Sequence, residues 1–444
     1  MPTRHVIVGA GTAGHNALTT IRQEEQGREP SEIILVSAER PYSRMVLPYY
    51  LGRTIAESHV FTATPGRLAQ LGVKTHLGRR AVRLDPKAAT LTLDDETAVE
   101  YDDLLIATGS SAVRPPIPGS DGPGIHSFWT LDQARRVVAE AKAGSHVVMV
   151  GAGFIAFTIL NSILAIGAKL TIVEIAPQIL PRMIDRDGAQ IVEAWLRKHG
   201  VEIRTSATLT AVEQVGGKRR LRFKEGGDID ADVVIMATGI RTNLEWLEGS
   251  GIRVNRGVVV DDHLRSSVPN VYAAGDVAEG RDLVTGQPDV HAIEPTAMEH
   301  GRVVGANMAG RDVAYRGSLL MNVVGVCQLE VASFGRWDDS QAEVAAAVRP
   351  ERPAYRKLLF HGDRLTGAMI LGRADDVWTT NDVGMLKGLV QIGAGLGKWK
   401  ARLVRNPFDI KPAFIAARTT ARLLPETVLG RPSAVPAVVA TTRA

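Results

Sequence analysis

Apolar and polar positions at the start of the chain predict a strand, a tight turn and a helix in immediate succession. Residues 5–8 form a short, mostly β-branched run, and a helical pattern follows at residues 15–22. The turn between them has the spacing Gly-x-Gly-x-x-Gly, with its glycines at Gly9, Gly11 and Gly14. This order of elements presents backbone N–H groups and a helix N-terminus to a pyrophosphate, and so predicts a dinucleotide site.

The continuation of the pattern favours this interpretation over a purely structural turn. A second apolar run, residues 32–37, ends close to Glu39. A carboxylate at that point of a strand–turn–helix–strand unit accepts the hydroxyls of an adenosine ribose.

The same pattern returns in the middle of the chain. Residues 147–150 form an apolar run, Gly151 and Gly153 follow, and an apolar helical pattern extends to about residue 165. Ala156 replaces the third glycine, where a small side chain suffices for helix packing. Glu174 follows the next apolar run. A carboxylate there would repel the 2′-phosphate of NADPH, so NADH is the favoured cofactor. Alternatively, Glu174 is an ordinary solvated acid at the end of a strand. Two such units predict two dinucleotides.

Each unit ends with an apolar run that predicts a buried strand and is followed by Ala-Thr-Gly, at residues 107–109 and 237–239. A proline-rich connector follows the first Ala-Thr-Gly. Strands are expected around residues 323–331, 355–360 and 365–371. We therefore expect an α/β protein with two Rossmann-like dinucleotide-binding domains. A resemblance to a known family, carried by the motifs named below, implies FAD in the first domain, NAD in the second, and a smaller α+β C-terminal interface domain with a helical extension. The expected division is 1–114 with 241–317 for FAD, 115–240 for NAD, 318–395 for the interface domain, and 396–444 for a basic C-terminal extension.

Composition limits the function further. The 444 residues are 45% hydrophobic and 23% charged, as in a globular protein, and no apolar run is long enough to span a membrane. The first strand begins too early to leave room for a signal peptide, so a cytoplasmic location is expected. One cysteine, Cys327, excludes a catalytic dithiol within the chain. The net charge of +4 is modest, and we expect no nucleic-acid partner.

The positive charge is concentrated at the C-terminal end. The acidic residues of this last segment are only Asp409 and Glu426. Its basic residues are Lys398, Lys400, Arg402, Arg405, Lys411, Arg418, Arg422, Arg431 and Arg443. The segment could dock an acidic iron–sulfur carrier or a partner redox subunit, with Trp399 and Phe408 as anchors. Alternatively, the segment only increases solubility, and Trp399 and Phe408 pack it onto the rest of the protein. A third alternative is that residues 412–424 form an amphipathic helix on a membrane surface.

Several residues near the glycine turns have two interpretations. Arg44 follows the first unit and either contacts cofactor phosphate or is an ordinary surface arginine. Asp276 either holds a polyol hydroxyl or caps a helix, and the two roles are compatible. His291, Glu294 and His300 straddle a proline and lack a fourth ligand, so no metal site is predicted.

Five ordered motifs between residues 4 and 310 resemble the FAD and NAD(P)H-dependent pyridine nucleotide-disulfide oxidoreductase superfamily, in particular its ferredoxin, rubredoxin and nitrite-reductase-type reductases. The motifs are Gly-Ala-Gly-Thr-Ala-Gly, Ile-Ala-Thr-Gly, Gly-Ala-Gly-Phe-Ile-Ala, Met-Ala-Thr-Gly and Tyr-Ala-Ala-Gly-Asp. The resemblance implies that the contacts to FAD are Gly9, Gly11, Thr12, Ala13, Gly14, Glu39, Arg40, Arg44, Pro48, Thr108, Gly109, Gly275, Asp276, Pro295, Thr296 and Ala297. It implies that the contacts to NAD are Gly151, Gly153, Phe154, Ile155, Glu174 and Gly239.

The chain departs from that family at three positions. Met45 stands where disulfide-reducing members have a redox cysteine, and Thr158 stands where a glutamate usually positions the nicotinamide. Glu294 replaces a tryptophan that lies beside the flavin in many members. The catalytic side chains are not identified from the sequence, because the chemistry is that of the flavin; Glu294 and Thr296 are the candidates.

The expected function is an FAD-dependent NADH oxidoreductase that passes electrons to a protein carrier or partner subunit, as a homodimer or within a larger redox complex. The alternatives are an NADH oxidase or quinone-type reductase, and a flavoprotein redox sensor or scaffold with slow hydride transfer, which Thr158 would favour. A peripheral membrane contact stays open.

Overall fold

A computed structural model describes residues 2–349, 351–419 and 422, and it has the predicted α/β architecture. Within the described residues, the first part of the chain contains eight strands and three α-helices. In order they are β1 (Arg4–Val8), α1 (Thr12–Glu24), β2 (Glu32–Ser37), α2 (Leu47–Leu51), α3 (Pro65–Gln70), β3 (Val73–Leu77), β4 (Ala81–Asp85), β5 (Thr90–Leu93), β6 (Ala98–Glu100), β7 (Asp103–Ile106) and β8 (Ser110–Ala112).

The middle of the chain repeats the strand–helix alternation. Its elements are β9 (Ile125–Ser127), α4 (Leu131–Glu140), β10 (His146–Val150), α5 (Phe154–Ala165), β11 (Lys169–Val173), α6 (Arg186–Lys198), β12 (Glu202–Arg204), β13 (Leu209–Val215), β14 (Lys218–Phe223), β15 (Ile229–Ala231), β16 (Val233–Met236) and β17 (Ile240–Thr242).

The remainder of the chain first returns to the first sheet and then forms an antiparallel sheet with helices. Its elements are β18 (Val258–Val259), β19 (Val271–Ala273), β20 (Ala278–Arg281), β21 (Pro288–Asp289), α7 (Glu294–Met308), β22 (Met321–Val326), β23 (Leu329–Gly335), β24 (Glu343–Arg349), β25 (Ala354–His361), β26 (Arg364–Arg373), α8 (Val377–Ile392), α9 (Lys398–Arg405) and α10 (Ile410–Ala416).

Two parallel five-stranded sheets form the centres of the first two units. The first has the order β19-β7-β1-β2-β3 and the second the order β12-β11-β10-β16-β9. In both sheets the strand before the glycine turn, β1 or β10, is central, which brings each turn to the carboxyl edge where parallel sheets bind ligands. The chain passes between the two units through an antiparallel ribbon of β8 and β17.

Helices α1 and α7 pack unusually closely because glycines of α7 face the backbone of α1. A Cβ at Gly301 would lie 2.3 Å from the Ala13 carbonyl oxygen, and one at Gly305 would lie 2.6 Å from the Ala17 carbonyl oxygen. This approach places the N-terminus of α7 beside the first glycine turn.

The third sheet, of order β22-β23-β26-β25-β24, is covered on both faces within the chain. Along β26, Met369 and Leu371 pack against the second unit, whereas Ala368 and Ile370 pack against the C-terminal helices. This alternation is the period of two expected of a strand buried on both sides. Within the described residues, no helix is long and apolar enough to cross a membrane.

A buried ion pair holds α8 to the third sheet. Arg356 is 1% exposed, and its Nη2 donates to the Asp382 carboxylate at 2.8 Å while its Nη1 donates to the Leu371 carbonyl at 2.7 Å. Both charged groups are buried, so removal of either partner would leave an unpaired charge away from water. The pair therefore fixes the position of α8 on the sheet.

Candidate functional site

A cavity of about 830 Å³ lies at the carboxyl edge of the first sheet, within the size range of small-molecule sites. The glycine turn, the ends of β2 and β7, the Gly275–Asp276 turn and the N-terminus of α7 line it, and the start of α4 from the second unit closes one side. The predicted FAD contacts that line it are Gly9, Gly11, Thr12, Ala13, Glu39, Arg40, Arg44, Thr108, Gly109, Gly275, Asp276 and Ala297.

The three glycines of the first turn have three different physical roles. Gly9 has φ +115°, and a Cβ there would lie 2.1 Å from the Ala107 carbonyl oxygen. A Cβ at Gly14 would lie 2.0 Å from the Gly9 carbonyl oxygen, so Gly14 is required for packing and does not line the cavity. A Cβ at Gly11 would meet nothing within 4 Å, so the backbone of Gly11 is open to the cavity, as the predicted contact with a pyrophosphate requires.

Glu39 lies in the cavity wall, but its carboxylate also has a partner within the protein. The hydroxyl of Tyr42 donates to both carboxylate oxygens, at 3.0 and 3.1 Å, and itself accepts from the backbone N–H of Leu131 at 3.1 Å. Burial raises the pKa of the Tyr42 phenol, so it remains a donor at neutral pH. Tyr42 therefore orients the predicted ribose acid and links it to α4.

Arg44 is held over the cavity by contacts with both units. Its guanidinium lies 5.1 Å from the ring centroid of Trp129 and 4.0 Å from the Glu39 carboxylate. The Trp129 indole N–H donates to the Ser110 carbonyl at 2.6 Å, which fixes the ring. An arginine oriented in this way is suited to a cofactor phosphate.

The Gly275–Asp276 turn is fixed by two buried side chains. The Ser110 hydroxyl donates to the Asp276 carboxylate at 2.6 Å. The Gly275 N–H donates to Nδ1 of His300 at 3.2 Å, and burial lowers the pKa of His300 to about 3, so its imidazole is neutral. The turn thus presents Asp276 to the cavity from a rigid support.

Glu294, at the start of α7, also lines the cavity. Burial raises the pKa of its carboxyl group, and a hydrogen bond with the Thr12 side chain opposes that shift. The side chain therefore joins the N-terminal turns of α1 and α7 at the cavity wall.

The second glycine turn reproduces the geometry of the first. Gly151 has φ +100°, with a prospective Cβ 2.4 Å from the Ala237 carbonyl oxygen, and a Cβ at Gly153 would meet nothing within 4 Å. Glu174 is 8% exposed and accepts from the backbone N–H groups of Ala152 at 2.6 Å and Ala176 at 2.8 Å. The acid thus lies directly against the turn, and each oxygen already accepts one bond.

The other predicted NAD contacts flank this turn. Phe154 and Ile155 begin α5 and are half-buried, and Gly239, with φ +114°, follows β16. The Thr158 hydroxyl donates to the Ile155 carbonyl of its own helix at 2.7 Å, so it is used locally rather than directed at a ligand.

Besides Gly14, three predicted FAD contacts lie outside the cavity wall. The Pro48 carbonyl accepts from the Ser162 hydroxyl at 2.6 Å, and Pro295 is exposed. Thr296 belongs to the first turn of α7 and is buried, with 2% of its surface exposed. Conversely, sequence reasoning missed cavity residues that come from distant segments, namely Tyr42, Arg79, Arg80, Ser110, Trp129, Gln133, Arg136, Asn243 and Trp246. Neither spacing nor residue type distinguishes them in the sequence.

Met45, predicted to stand where disulfide-reducing members have a redox cysteine, lines the cavity and is 48% exposed. Cys327 lies elsewhere, where its backbone carbonyl accepts from the Trp195 indole, and burial raises the pKa of its thiol. Among the described residues no group of three or more histidine, cysteine, aspartate or glutamate side chains could hold a metal.

The two aromatic residues of the basic segment pack on the body. Phe408 lies between the guanidinium groups of Arg349 and Arg356, at 4.0 and 5.1 Å from its ring centroid, and Trp399 is half-buried against the core of the third sheet. The exposed apolar residues nearby are instead Trp378, at 60%, and Ile415, at 62%. Arg431, Arg443 and most of residues 412–424 beyond Thr419 lie outside the described residues.

Comparisons with known proteins support the predicted resemblance. The family model for pyridine nucleotide-disulphide oxidoreductase matches residues 3–301. The chain is 29% identical over 414 residues to the epsilon subunit of NADH-dependent phenylglyoxylate dehydrogenase from Aromatoleum evansii, a match that covers 92% of this chain and 96% of the relative. It is 30% identical over 309 residues to rubredoxin-NAD(+) reductase from Pseudomonas putida, covering 69% and 80%.

A solved structure has the same fold. The NAD-dependent persulfide reductase from A. fulgidus superimposes with a TM-score of 0.82 at 24% identity, covering 96% of this chain and 85% of that one. The motifs, both glycine turns and the family match agree, and the prediction of the family is confirmed. The chain belongs to the pyridine nucleotide-disulphide oxidoreductase family.

Proposed function

We propose that the chain is an FAD-dependent NADH oxidoreductase that delivers electrons to a protein carrier or to a partner subunit. The observation that carries this proposal is the large cavity at the first glycine turn, with a second and geometrically equivalent turn on the neighbouring sheet. The near end-to-end match with a subunit of an NADH-dependent dehydrogenase supports the same function.

The residues of the first unit fit FAD. Gly11 leaves room for the pyrophosphate, Arg44 supplies positive charge to it, and Glu39 and Asp276 offer carboxylates to ribose and ribityl hydroxyls. When bound, the flavin accepts hydride and passes electrons on; the protein binds and orients it. Glu294 lines the wall beside Thr12, where a carboxyl group of raised pKa could exchange a proton with the cofactor.

The second unit fits NADH. Glu174 already accepts two backbone N–H bonds, and its remaining lone pairs are available to ribose hydroxyls but repel a 2′-phosphate. We propose that Gly151, Gly153, Phe154, Ile155 and Gly239 hold the rest of the dinucleotide. Since Thr158 carries no charge, the nicotinamide is oriented here without the usual glutamate.

Met45 limits the acceptors that the site can serve. Met45 cannot form a thiolate, so electrons leave the site without a mixed disulfide. We propose a one-electron carrier, an acidic iron–sulfur protein or subunit, and a docking surface on the C-terminal helices that uses exposed Trp378 and Ile415 with Lys411.

The domain division that accompanies this proposal is the one given by the sequence, with the FAD-binding domain in two pieces. The ribbon of β8 and β17, at residues 110–112 and 240–242, supports the two crossings between the dinucleotide-binding domains.

The test uses the FAD-loaded protein with NADH and three acceptors in parallel: an acidic iron–sulfur protein, a water-soluble quinone and oxygen. We expect reduction of the iron–sulfur protein to be fastest and to slow with added salt, since oppositely charged partners attract over a Debye length of ~8 Å. Oxygen consumption as fast as carrier reduction would instead identify an NADH oxidase. Absence of turnover with every acceptor would favour a sensor or scaffold.

A further inference from the structure

A second cavity, of about 350 Å³, adjoins the one at the first glycine turn. It is lined by Arg114, by the loop of residues 121–124, by strand β9, and by Gln133, Arg136 and Glu140 of α4. Gln133 and Arg136 line both cavities, which places the two side by side. Its volume lies within the range of small-molecule sites, and neither predicted dinucleotide site accounts for it.

The loop that forms one wall of this second cavity is held firmly against β14. Arg219 of β14 donates from Nε to the Pro123 carbonyl at 3.0 Å and from Nη1 to the Asp232 carbonyl at 2.6 Å. The Gln214 amide donates to the same Pro123 carbonyl at 3.1 Å. A Cβ at Gly124, where φ is +72°, would lie 1.8 Å from Nη2 of Arg219, so the loop can approach this guanidinium because Gly124 has no side chain. The wall is therefore preformed.

Three side-chain donors in the second cavity have no hydrogen-bond acceptor among the described residues. His126 is 8% exposed, and its buried Nε2 makes no hydrogen bond. Ser127 is 4% exposed, and its hydroxyl makes none either. Gln133 uses its side-chain oxygen for the N–H groups of Trp129 and Thr130, which leaves its amide nitrogen free to donate. Because buried polar groups are normally hydrogen-bonded, these donors indicate a ligand that accepts from them.

Two arginines add positive charge to the same cavity. The Arg114 guanidinium donates to the Ile125 carbonyl at 3.4 Å, and no carboxylate of the described residues pairs with it. Arg136 pairs with Asp132 at 2.8 Å, but both side chains are largely exposed, and an exposed pair of this kind is weak. Both guanidinium groups are therefore available to an anionic ligand, which arginine binds through charge-assisted hydrogen bonds.

Two acids also border the cavity and restrict the kind of anion that fits. Glu140 lies 3.7 Å from the guanidinium of Arg219, which offsets its charge, and 3.1 Å from Nε2 of His126 without forming a hydrogen bond. Asp121 is exposed and has no basic partner within the described part of the chain. Since carboxylates accept from hydroxyl groups, a ligand with an anionic end and hydroxyl groups suits both sets of side chains.

We propose that the second cavity binds a small organic phosphate that carries hydroxyl groups, such as a sugar phosphate. The phosphate accepts from the two arginines and from the three unpartnered donors, and the hydroxyl groups donate to the two acids. A phosphate has three terminal oxygens, so it can accept from more of these donors than a carboxylate can. The volume of about 350 Å³ leaves room for the organic part of the ligand. The inference goes beyond the proposed function, because no step of NADH oxidation uses this cavity.

Calorimetric titration of the full FAD-loaded chain with ribose-5-phosphate, in saturating NAD⁺, tests the proposal. FAD and NAD⁺ then occupy the two glycine turns, so that the sugar phosphate cannot bind there. We expect one ribose-5-phosphate per chain, and weaker binding of inorganic phosphate, which fills only part of the cavity. Absence of binding up to about 10 mM ribose-5-phosphate would overturn the proposal. Malonate that binds as tightly as the sugar phosphate, or inorganic phosphate that binds more tightly, would also overturn it.

Three variants show whether the bound phosphate lies in this cavity. Arg114→Gln should weaken the binding of ribose-5-phosphate at least about tenfold, because it removes a charge-assisted hydrogen bond. Ser127→Ala should also weaken it while the melting temperature stays unchanged, since the lost hydroxyl has no partner among the described residues. Arg220→Gln is the matched control, at an arginine of β14 that lines neither cavity, and should bind as the parent does. If Arg114→Gln and Ser127→Ala both bind as tightly as the control, the phosphate occupies another site and the proposal is wrong.

Discussion

The close contact of α1 and α7 makes a quantitative prediction about one glycine. A Cβ at Gly301 would lie 2.3 Å from the Ala13 carbonyl oxygen, whereas ordinary contacts begin at 3.4 Å. The two helices must therefore move apart by about 1 Å in Gly301→Ala, and overpacking of this kind costs about 1–3 kcal/mol. Because Ala13 lines the cavity, the same movement should also weaken FAD binding.

Alanine is the better helix former by about 1 kcal/mol, and this gain partly hides the steric cost. Gly384 supplies a matched control, because it lies within α8, is exposed, and would place its Cβ with nothing within 4 Å. Gly384→Ala receives the same gain in helix propensity without the overlap. The difference between the two variants therefore isolates the cost of the overlap.

Urea unfolding of the FAD-loaded variants, followed by tryptophan fluorescence, measures this difference. We expect Gly301→Ala to be less stable than Gly384→Ala by about 1–3 kcal/mol, and its FAD dissociation constant to rise while that of the control is unchanged. If Gly301→Ala is as stable as the control and binds FAD equally well, the close packing of α1 and α7 does not support the cavity.

Three further predictions concern single residues of the two units. Glu174→Ala should narrow the preference for NADH over NADPH by roughly 1–3 kcal/mol in kcat/KM, and equal use of both cofactors by the parent protein would refute the role of Glu174. Asp276→Ala should purify with depleted flavin, because it loses a carboxylate partner for a cofactor hydroxyl, as measured by the ratio of visible to ultraviolet absorbance. His300 is neutral in the folded protein, but in the unfolded chain it becomes protonated as the pH falls below its ordinary pKa. It therefore lowers the free energy of unfolding by up to ~2 kcal/mol between pH 7 and pH 5. His300→Gln should flatten this pH dependence, and an unchanged pH profile of urea unfolding would contradict the prediction.

The sequence predicted those parts of the site that depend on local spacing. Gly9, Gly11 and Gly151, Gly153 are recognisable because a strand, a turn and a helix follow one another within a few residues, and the acids Glu39 and Glu174 follow at the next strand. Each of these positions has a role that a short segment defines by itself.

The parts that could not be predicted depend on approaches between distant segments. The bond from Leu131 to Tyr42 and the bond from Trp129 to Ser110 join residues of different units, and no periodicity marks them. Phe408 is similar, because its packing against Arg356 depends on where the C-terminal helices cover the third sheet. In the sequence alone it could equally be an exposed anchor, so both interpretations were open.

Anaerobic titration of the FAD-loaded protein with NADH tests the central claim most directly. The account predicts that the flavin absorbance is lost at about one NADH per flavin, at a rate that supports turnover, and that NADPH is much less effective. If the spectrum is unchanged in excess NADH while dithionite reduces the same flavin, the two cofactor sites do not exchange hydride, and the proposed function is wrong.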